Sequence, residues 1–262
     1  MATNLYLIGT VHTDLDGKER LDALLGRLAP AIVALEFHKD RENLESLRKS
    51  PEEEQKEFDE MIEESGLSLN PRQRAALLES GYRISDASGY EYKSSRDYTQ
   101  RNPGSRLEYI DISVFANGKE EFAKGYSDAG KANFKHIAQT PELAKPLLET
   151  LDRGIDAYLE NFRRGIQQIY RNAEEIALLF EILQDPKEFE RMKQEMPPHV
   201  VQALEQIYNP RRDEAMGARV RELYDGKSRL VAIVGLGHLE ALNLKVRDLE
   251  PRVMTLAEYD SV

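Results

Sequence analysis

Two short apolar segments near opposite ends of the chain finish in the same pattern: a glycine, two residues and a histidine. The first, NLYLIGTVH, contains Gly9 and His12, and the second, RLVAIVGLGH, contains Gly235 and His238. Continuous apolar runs of this length are typical of strands in a sheet that is covered on both faces. Ligands of open α/β sheets bind outside the carboxyl ends of the strands, so we expect the two histidines to share one polar site. The repeated pattern also indicates duplicated halves of an α/β fold.

The segments between these runs support the α/β class. Gly17–Ala29 has leucines at helical spacing and leads into Ala31–Phe37, a second apolar run. A strand, a helix and a strand at this spacing predict a right-handed crossover. Arg106–Val114 resembles a third strand, and Arg252–Leu256 is a candidate terminal strand. We therefore expect a central mixed β-sheet flanked by helices.

Residues 117–225 contain no convincing strand and have the pattern of successive helices interrupted by prolines. We predict that this stretch is a helical insertion that covers the sheet edge as a lid, within a single domain spanning residues 1–262. It could wrap a ligand or form the interface of a homodimer. Two further helices are expected before it, with breaks near Pro51 and Pro71.

Composition narrows the classes of partner. The formal charge of −11 disfavours nucleic acid or an anionic membrane as the main partner. Because the chain has no cysteine, a metal ion would be held by His, Asp or Glu. No basic region precedes the first apolar run, which leads into a histidine rather than a cleavage site. No apolar run approaches the ~20 residues that a membrane-spanning helix needs. We expect a cytoplasmic protein.

Carboxylates at strand ends are candidates for the same site. Glu36 follows four apolar residues, where a carboxylate needs a partner or a metal ion, and Arg41 is a candidate partner. Glu36 is either part of a structural ion pair, or a metal ligand or general base beside His12. Asp111 could add a carboxylate at the same edge. Alternatively, its alternation with Glu108 marks a half-exposed strand.

Charged residues at two predicted helix starts complete the set of candidates. Glu91 begins a helix, where the helix dipole favours a carboxylate. Arg212 lies just after Pro210, near the start of another helix, where the dipole opposes a cation. An anionic substrate or the carboxylates of the site would favour the arginine there. The neighbouring Asp213 and Glu214 could instead compensate locally on a surface helix.

Taken in order, these motifs resemble the TraB/PrgY family, which is related to the Tiki proteases and, more distantly, to the erythromycin esterases and ChaN. Glu91 and Asp111 resemble further polar positions of that family. No arginine follows Asp111, and the apolar C-terminal membrane segments of the PrgY type are absent. The resemblance runs from Leu5 to about Leu242. Its motifs are the two G-x-x-H patterns, L-E-x-x-x-x-R and R-D-x-x-M, the last two at Leu35, Glu36, Arg41, Arg212, Asp213 and Met216.

The resemblance implies an active cleft at the sheet edge and, through the Tiki relatives, peptide cleavage with Mn or Co. In that hypothesis His12, His238 and Glu36 bind a divalent metal ion, which lowers the pKa of a bound water so that it attacks a peptide or related amide or ester bond. The remaining candidates would complete the ligand set, act as general base, or stabilise an oxyanion or a substrate carboxylate: Glu91, Asp111, Arg212 and Arg41.

Three alternatives remain open at this stage. A metal-free hydrolase would use one histidine as general base on water while a glutamate orients it. A binding protein would hold a peptide or a small anionic ligand without turnover. A purely structural polar network would contribute stability alone.

Overall fold

The computed structural model describes residues 4–41, 50–113, 119–184, 186–195 and 210–261. Within them, five strands form one sheet in the order β3-β2-β4-β1-β5. All four neighbouring pairs are parallel. The α/β class is therefore confirmed, with a parallel sheet in place of the mixed sheet we expected. The strands are β1 (Leu5–Thr10), β2 (Ile32–Leu35), β3 (Arg106–Tyr109), β4 (Leu230–Gly235) and β5 (Arg252–Thr255).

Eleven α-helices lie in the described residues, and two of them begin at the predicted proline breaks. Ser50 and Asn70 cap those two helices, each through a reciprocal capping box with the third helical residue. The helices are α1 (Gly17–Leu28), α2 (Pro51–Ser65), α3 (Pro71–Ala87), α4 (Tyr90–Arg101), α5 (Lys119–Gln139), α6 (Pro141–Arg153), α7 (Ile155–Arg171), α8 (Ala173–Gln184), α9 (Pro186–Glu195), α10 (Pro210–Leu223) and α11 (Leu236–Val246). Short 3₁₀ helices occur at Lys39–Arg41, Arg247–Leu249 and Leu256–Ser261.

Strands β1 and β4 form the centre of the sheet. Every residue of both strands is buried, which requires cover on both faces of the sheet. Helix α1 packs against α4, and α11 packs against α10 and β1. Thr10 pairs with Gly235 at the carboxyl end, so the two strands finish side by side. The two G-x-x-H patterns therefore meet at one edge of the sheet, as predicted.

Strand β3 is shorter than the predicted Arg106–Val114. It ends at Tyr109, and the N–H of Ile110 makes a last hydrogen bond to the carbonyl of Leu35. Among the described residues β3 is an outer strand whose one neighbour is β2, and Arg106 is exposed. Asp111 lies just beyond the strand, and Val114 lies outside the described residues.

The described part of residues 117–225 is helical, as the sequence indicated. Helices α2, α3, α5, α6 and α7 contact one another and enclose a second apolar cluster that includes Ile62, Leu77 and Leu151. Helix α8 packs on α11, and the end of α7 reaches the loop after β1. None of the described helices combines the length and apolar character needed to cross a membrane.

Candidate functional site

The two histidines take different positions at the end of the sheet. His12 lies in the loop two residues after β1, whereas His238 lies in the first turn of α11, three residues after β4. Since Thr10 is the register partner of Gly235, the two G-x-x-H patterns are offset by one residue across the strand pair. The repeated motif therefore places one histidine in a loop and the other in a helix. The side chain of His12 is 57% exposed, and that of His238 is 5% exposed.

His12 is held by Glu91, which α4 brings to the loop. The Nδ1 atom of His12 lies 2.8 Å from Oε1 of Glu91, whose side chain is nearly buried. The hydroxyl of Thr10, the last residue of β1, lies 3.0 Å from the same carboxylate oxygen. A carboxylate that accepts from Nδ1–H leaves Nε2 as the unprotonated nitrogen of a neutral imidazole.

His238 is held in the same way by Asp213 of α10. Its Nδ1 atom lies 2.7 Å from Oδ1 of Asp213, and its Nε2 atom lies 3.7 Å from Oε1 of Glu36. Asp213 is buried, so it does not compensate the arginines of a surface helix. Asp213 was not among the predicted site residues. The available signal was its position directly after Arg212, a residue that was itself predicted to belong to the site.

Arg212 joins two buried carboxylates. Its Nη2 atom lies 2.5 Å from Oε1 of Glu36 and 2.7 Å from Oδ2 of Asp111, and its Nε atom lies 3.0 Å from Oδ1 of Asp111. The ion pairs with both acids raise the pKa of Arg212, although burial acts in the opposite direction. The site carboxylates therefore explain a cation at this helix start. The side chain of Arg41, the partner suggested for Glu36, lies outside the described residues.

Glu36 lies at the centre of this group. The backbone N–H of Gly235 donates to its Oε2 atom at 2.5 Å. Burial would raise the pKa of Glu36, but His238, Arg212, His12 and the Gly235 N–H outweigh it and lower that pKa to about 2. A Cβ atom at Gly235 would lie 2.9 Å from Nε2 of His12 and 3.3 Å from Oε2 of Glu36. Both groups therefore face the space above Gly235, which only a glycine leaves open.

The loop that carries His12 is fixed by the helices around it. The N–H of Val11 donates to the hydroxyl of Tyr170 on α7 at 3.1 Å, and that hydroxyl lies 3.2 Å from Oδ2 of Asp14. Arg20 of α1 also binds Asp14, at 3.0 Å. Burial raises the pKa of Asp14, and Arg20 only partly offsets this. The helical segment therefore contributes to the position of His12.

A cavity of about 1180 Å³ is lined by Tyr170 and by residues of β5 and α11. Tyr170, Leu236 and Thr255 are among the residues that line it, whereas His12, Glu36 and His238 do not. The cavity therefore adjoins the group of polar residues without containing it.

Six of the seven predicted site residues come together at one edge of the sheet, and Asp213 joins them. We call the following group the histidine site: His12, Glu36, Glu91, Asp111, Arg212, Asp213 and His238. Among the residues that the structure describes, no three His, Asp or Glu side chains are arranged so that they could hold a metal ion.

Fold and site together define a parallel α/β protein with two carboxylate-bound histidines at the carboxyl edge of its sheet. No protein-family model matches the sequence, and no solved structure was found to match the chain. The chain is 24% identical over 261 residues to a protein of Methanocaldococcus jannaschii named "Uncharacterized protein MJ1365". The alignment covers 94% of this chain and 54% of the archaeal protein, so the chain spans about half the length of that relative.

Proposed function

We propose that this protein is a hydrolase of the TraB/Tiki type, which cleaves an amide or ester bond in a peptide or a small anionic substrate. One observation carries the proposal. Two histidines are each hydrogen-bonded to a carboxylate through Nδ1, and both lie close enough to Glu36 to lower its pKa. A histidine with a carboxylate at one nitrogen is the arrangement that general-base catalysis uses to fix the tautomer.

His12 is the general base in this proposal. It is the exposed histidine of the pair, so a water molecule and a substrate carbonyl can reach it. Its Nε2 atom takes a proton from water as the water oxygen bonds to the carbonyl carbon. Glu91 stabilises the imidazolium that forms. The imidazolium then returns the proton to the leaving nitrogen or oxygen as the carbonyl–heteroatom bond breaks.

Glu36 and Arg212 hold the neighbouring groups of the site in position and transfer no protons in this proposal. A carboxyl with a pKa of about 2 stays ionised near neutral pH and is a weak base. Arg212 already forms ion pairs with Glu36 and Asp111, so its guanidinium has two anionic partners before a substrate binds. We therefore assign Arg212 to holding the two carboxylates, in preference to the oxyanion role expected from the sequence.

A divalent metal ion, Mn or Co, is a second proposal for the same site. His12 and His238 fit it, because metal-binding histidines usually bond a carboxylate through their other ring nitrogen. Glu36 fits poorly as the third ligand, because each of its oxygens already accepts a hydrogen bond, one from Arg212 and one from Gly235. The mechanism above therefore includes no step through a metal ion.

The experiment is incubation of the purified protein with a peptide library and matched ester substrates, followed by mass spectrometry. We expect cleaved products, and loss of cleavage in His12→Ala. His136→Ala is the matched control, because His136 is an exposed histidine of α5 outside the histidine site. Peptides that are retained but uncut would instead identify a binding protein, and the hydrolase proposal would be wrong.

The role of the metal ion is measured separately. Calorimetric titration with Mn²⁺ and Co²⁺ should show one site per chain that is lost in His12→Ala and in His238→Ala. Full hydrolysis after exhaustive chelation, with no metal binding by calorimetry, would contradict the metal proposal and leave the metal-free mechanism.

A cytoplasmic location remains part of the proposal. The first apolar run of the sequence forms the buried strand β1, as expected of a core strand.

A further inference from the structure

The cavity beside β5 and α11 has the position and the size of a ligand-binding pocket. Its lining includes Thr255 at the end of β5 and Leu236 directly after β4, so it lies at the carboxyl edge of the sheet. Ligands of open α/β sheets bind at that edge. Small-molecule pockets typically enclose about 300–1,000 Å³, and this cavity encloses about 1180 Å³. We call this space the β5 cavity.

The lining of the β5 cavity combines apolar and charged side chains. Leu236, Leu239 and Met254 are buried apolar residues, and Leu178 of α8 adds an exposed leucine. Pockets for organic ligands are typically built from apolar surface with a few polar groups that fix the orientation of the ligand. The charged residues of the lining are Arg20, Arg171, Glu174, Glu240 and Glu258.

Three of these charged residues already have partners within the protein. Arg20 binds two aspartates of the loop after β1. The carboxylate of Glu240 accepts from Asn243. The carboxylate of Glu258 accepts from the N–H and the hydroxyl of Thr255. These groups are therefore less available to a ligand.

Arg171 and Glu174 differ from the other charged residues of the lining. Arg171 is the last residue of α7, and Glu174 lies in the first turn of α8. Both are exposed, and within the part of the chain that the structure describes their side chains make no hydrogen bond or ion pair. One cation and one anion beside an apolar surface match the charges of a zwitterion. Amino acids and short peptides with apolar side chains have this combination of groups.

The β5 cavity shares two lining side chains with the loop that carries His12. The hydroxyl of Tyr170 accepts from the N–H of Val11 at 3.1 Å and lies 3.2 Å from Oδ2 of Asp14. Arg20 binds the same oxygen of Asp14 at 3.0 Å. Because Tyr170 and Arg20 both line the cavity, a molecule bound there would adjoin the groups that position this loop.

We propose that the β5 cavity binds a zwitterionic ligand with an apolar side chain, which is an apolar amino acid or a short apolar peptide. Arg171 pairs with the carboxylate of the ligand, and Glu174 pairs with its ammonium group. The apolar lining accepts the side chain of the ligand. This binding site lies outside the histidine site and does not depend on the hydrolase proposal.

Titration of the ¹⁵N-labelled chain, followed by NMR, tests the proposal with leucine and with leucyl-leucine as probes. The dipeptide is titrated into His12→Ala, in which the proposed cleavage is lost. We expect at least one of the two probes to bind at one site per chain. Glycine and glycyl-glycine should bind weaker on the order of tenfold or more, because they have no apolar side chain to bury.

Each ionic contact is tested by removing one charge from the protein and the matching charge from the ligand. Arg171→Gln should weaken binding of the probes on the order of tenfold, but should not change the affinity for their amides, which have no carboxylate. Glu174→Gln should act likewise and leave the affinity for the N-acetylated probes unchanged. Arg164→Gln and Glu175→Gln are the matched controls, since both residues are exposed on α7 and α8 and do not line the β5 cavity.

Three results would each overturn the proposal. The first is that neither leucine nor leucyl-leucine binds at millimolar concentration. The second is equal affinity for the leucine and glycine probes, which would exclude a role of the apolar lining. The third is unchanged affinity in both charge variants, once thermal unfolding has shown that they fold. None of these results bears on peptide cleavage by the histidine site, so the two proposals fail independently.

Discussion

Arg212 is paired with two carboxylates in a place from which water is almost excluded. One guanidinium between Glu36 and Asp111 leaves a net negative charge, and His238 and His12 lie close enough to Glu36 to lower its pKa. Moving such charges out of water costs several kcal/mol per ion, and their mutual attraction offsets this only while every partner is present. The residues of the histidine site therefore depend on one another for stability as well as for chemistry.

Replacing Arg212 with methionine should be strongly destabilising, because Glu36 and Asp111 would remain buried without their cation. We expect the free energy of unfolding to fall by about 3–5 kcal/mol, measured by urea denaturation. Arg219→Met on the same helix is the matched control, since Arg219 pairs with Glu108 and Glu222 in partly exposed surroundings. Its loss should be below about 1 kcal/mol. Similar losses in both variants would show that burial of the Arg212 pairs does not matter.

The ionisation of Glu36 should appear in the pH dependence of stability. Its pKa is lowered from 4.5 to about 2, so ionised Glu36 stabilises the fold above pH 4.5, and this contribution is lost as the pH falls towards 2. In Glu36→Gln, the free energy of unfolding should therefore fall less steeply over that interval. Glu63→Gln, an exposed carboxyl of α2, should follow the wild type. Parallel curves for Glu36→Gln and the wild type would contradict the lowered pKa.

The residues of the site were predictable where a local pattern demanded them. A carboxylate after an apolar strand and an arginine at a helix start both need partners, which identified Glu36 and Arg212. The site carboxylates were one of the partners suggested for the arginine, but Glu36 was not named as its specific partner. The pairing of Arg212 with Glu36 depends on how α10 packs against the sheet, and no local spacing in the sequence predicts that packing. Asp213 was not predicted as a site residue, because the helix dipole already explains a carboxylate near a helix start.

At the scale of elements, the contact between α1 and α4 governs how Glu91 reaches His12. Gly17 begins α1, and a Cβ atom there would come within 2.8 Å of three ring carbons of Tyr90. Tyr90 is buried and directly precedes Glu91 at the start of α4. The missing side chain at Gly17 therefore allows α4 to lie close enough for Glu91 to bind His12.

Gly17→Ala should destabilise the protein by about 1–3 kcal/mol through overpacking against Tyr90. Gly26→Ala in the same helix is the matched control, because nothing lies within 4 Å of the Cβ position there. We expect Gly26→Ala to be neutral or to stabilise by up to about 1 kcal/mol, since alanine is the better helix former. Thermal unfolding of both variants measures the difference. A stabilising Gly17→Ala would show that Tyr90 moves aside at little cost.

The strands were predictable where complete burial produces a continuous run of apolar residues in the sequence. Strands β1, β2 and β4 are buried on both faces and appear as continuous apolar runs. Strand β3 was placed correctly but drawn too long, because Ile110 and Ile112 continue the apolar alternation beyond the last paired residue. The mixed sheet was wrong, since strand direction follows from how the helices connect the strands and is not visible within any one strand.

At the scale of the whole molecule, helix α7 connects the helical segment to the histidine site. Tyr170 accepts from the N–H of Val11, one residue before His12, and contacts Asp14, two residues after it. A change in the position of α7 would therefore also shift the loop that carries His12. Residues distant in sequence thus take part in holding the proposed general base.

Tyr170→Phe should remove both contacts and leave the partly buried N–H of Val11 and the buried carboxylate of Asp14 without that partner. We expect a loss of about 1–3 kcal/mol in the free energy of unfolding, together with a lower hydrolysis rate because the His12 loop is less well fixed. Tyr158→Phe on the same helix is the control, because its hydroxyl has no hydrogen bond among the described residues. Denaturation and peptide cleavage measure the two effects. An unchanged rate in Tyr170→Phe would show that α7 does not control His12.

The central position of β1 also has a consequence for biosynthesis. Its only strand neighbours in the described residues are β4 and β5, and 224 residues separate Thr10 from its contact at Val234. A ribosome adding about 5–20 residues per second needs on the order of ten seconds or more to deliver that partner after β1 has emerged. During this delay a largely apolar strand is shielded only by chaperones or by transient collapse. His12 and His238 can meet only after residue 238 has been synthesised, so a nascent chain that ends before that residue has no histidine site.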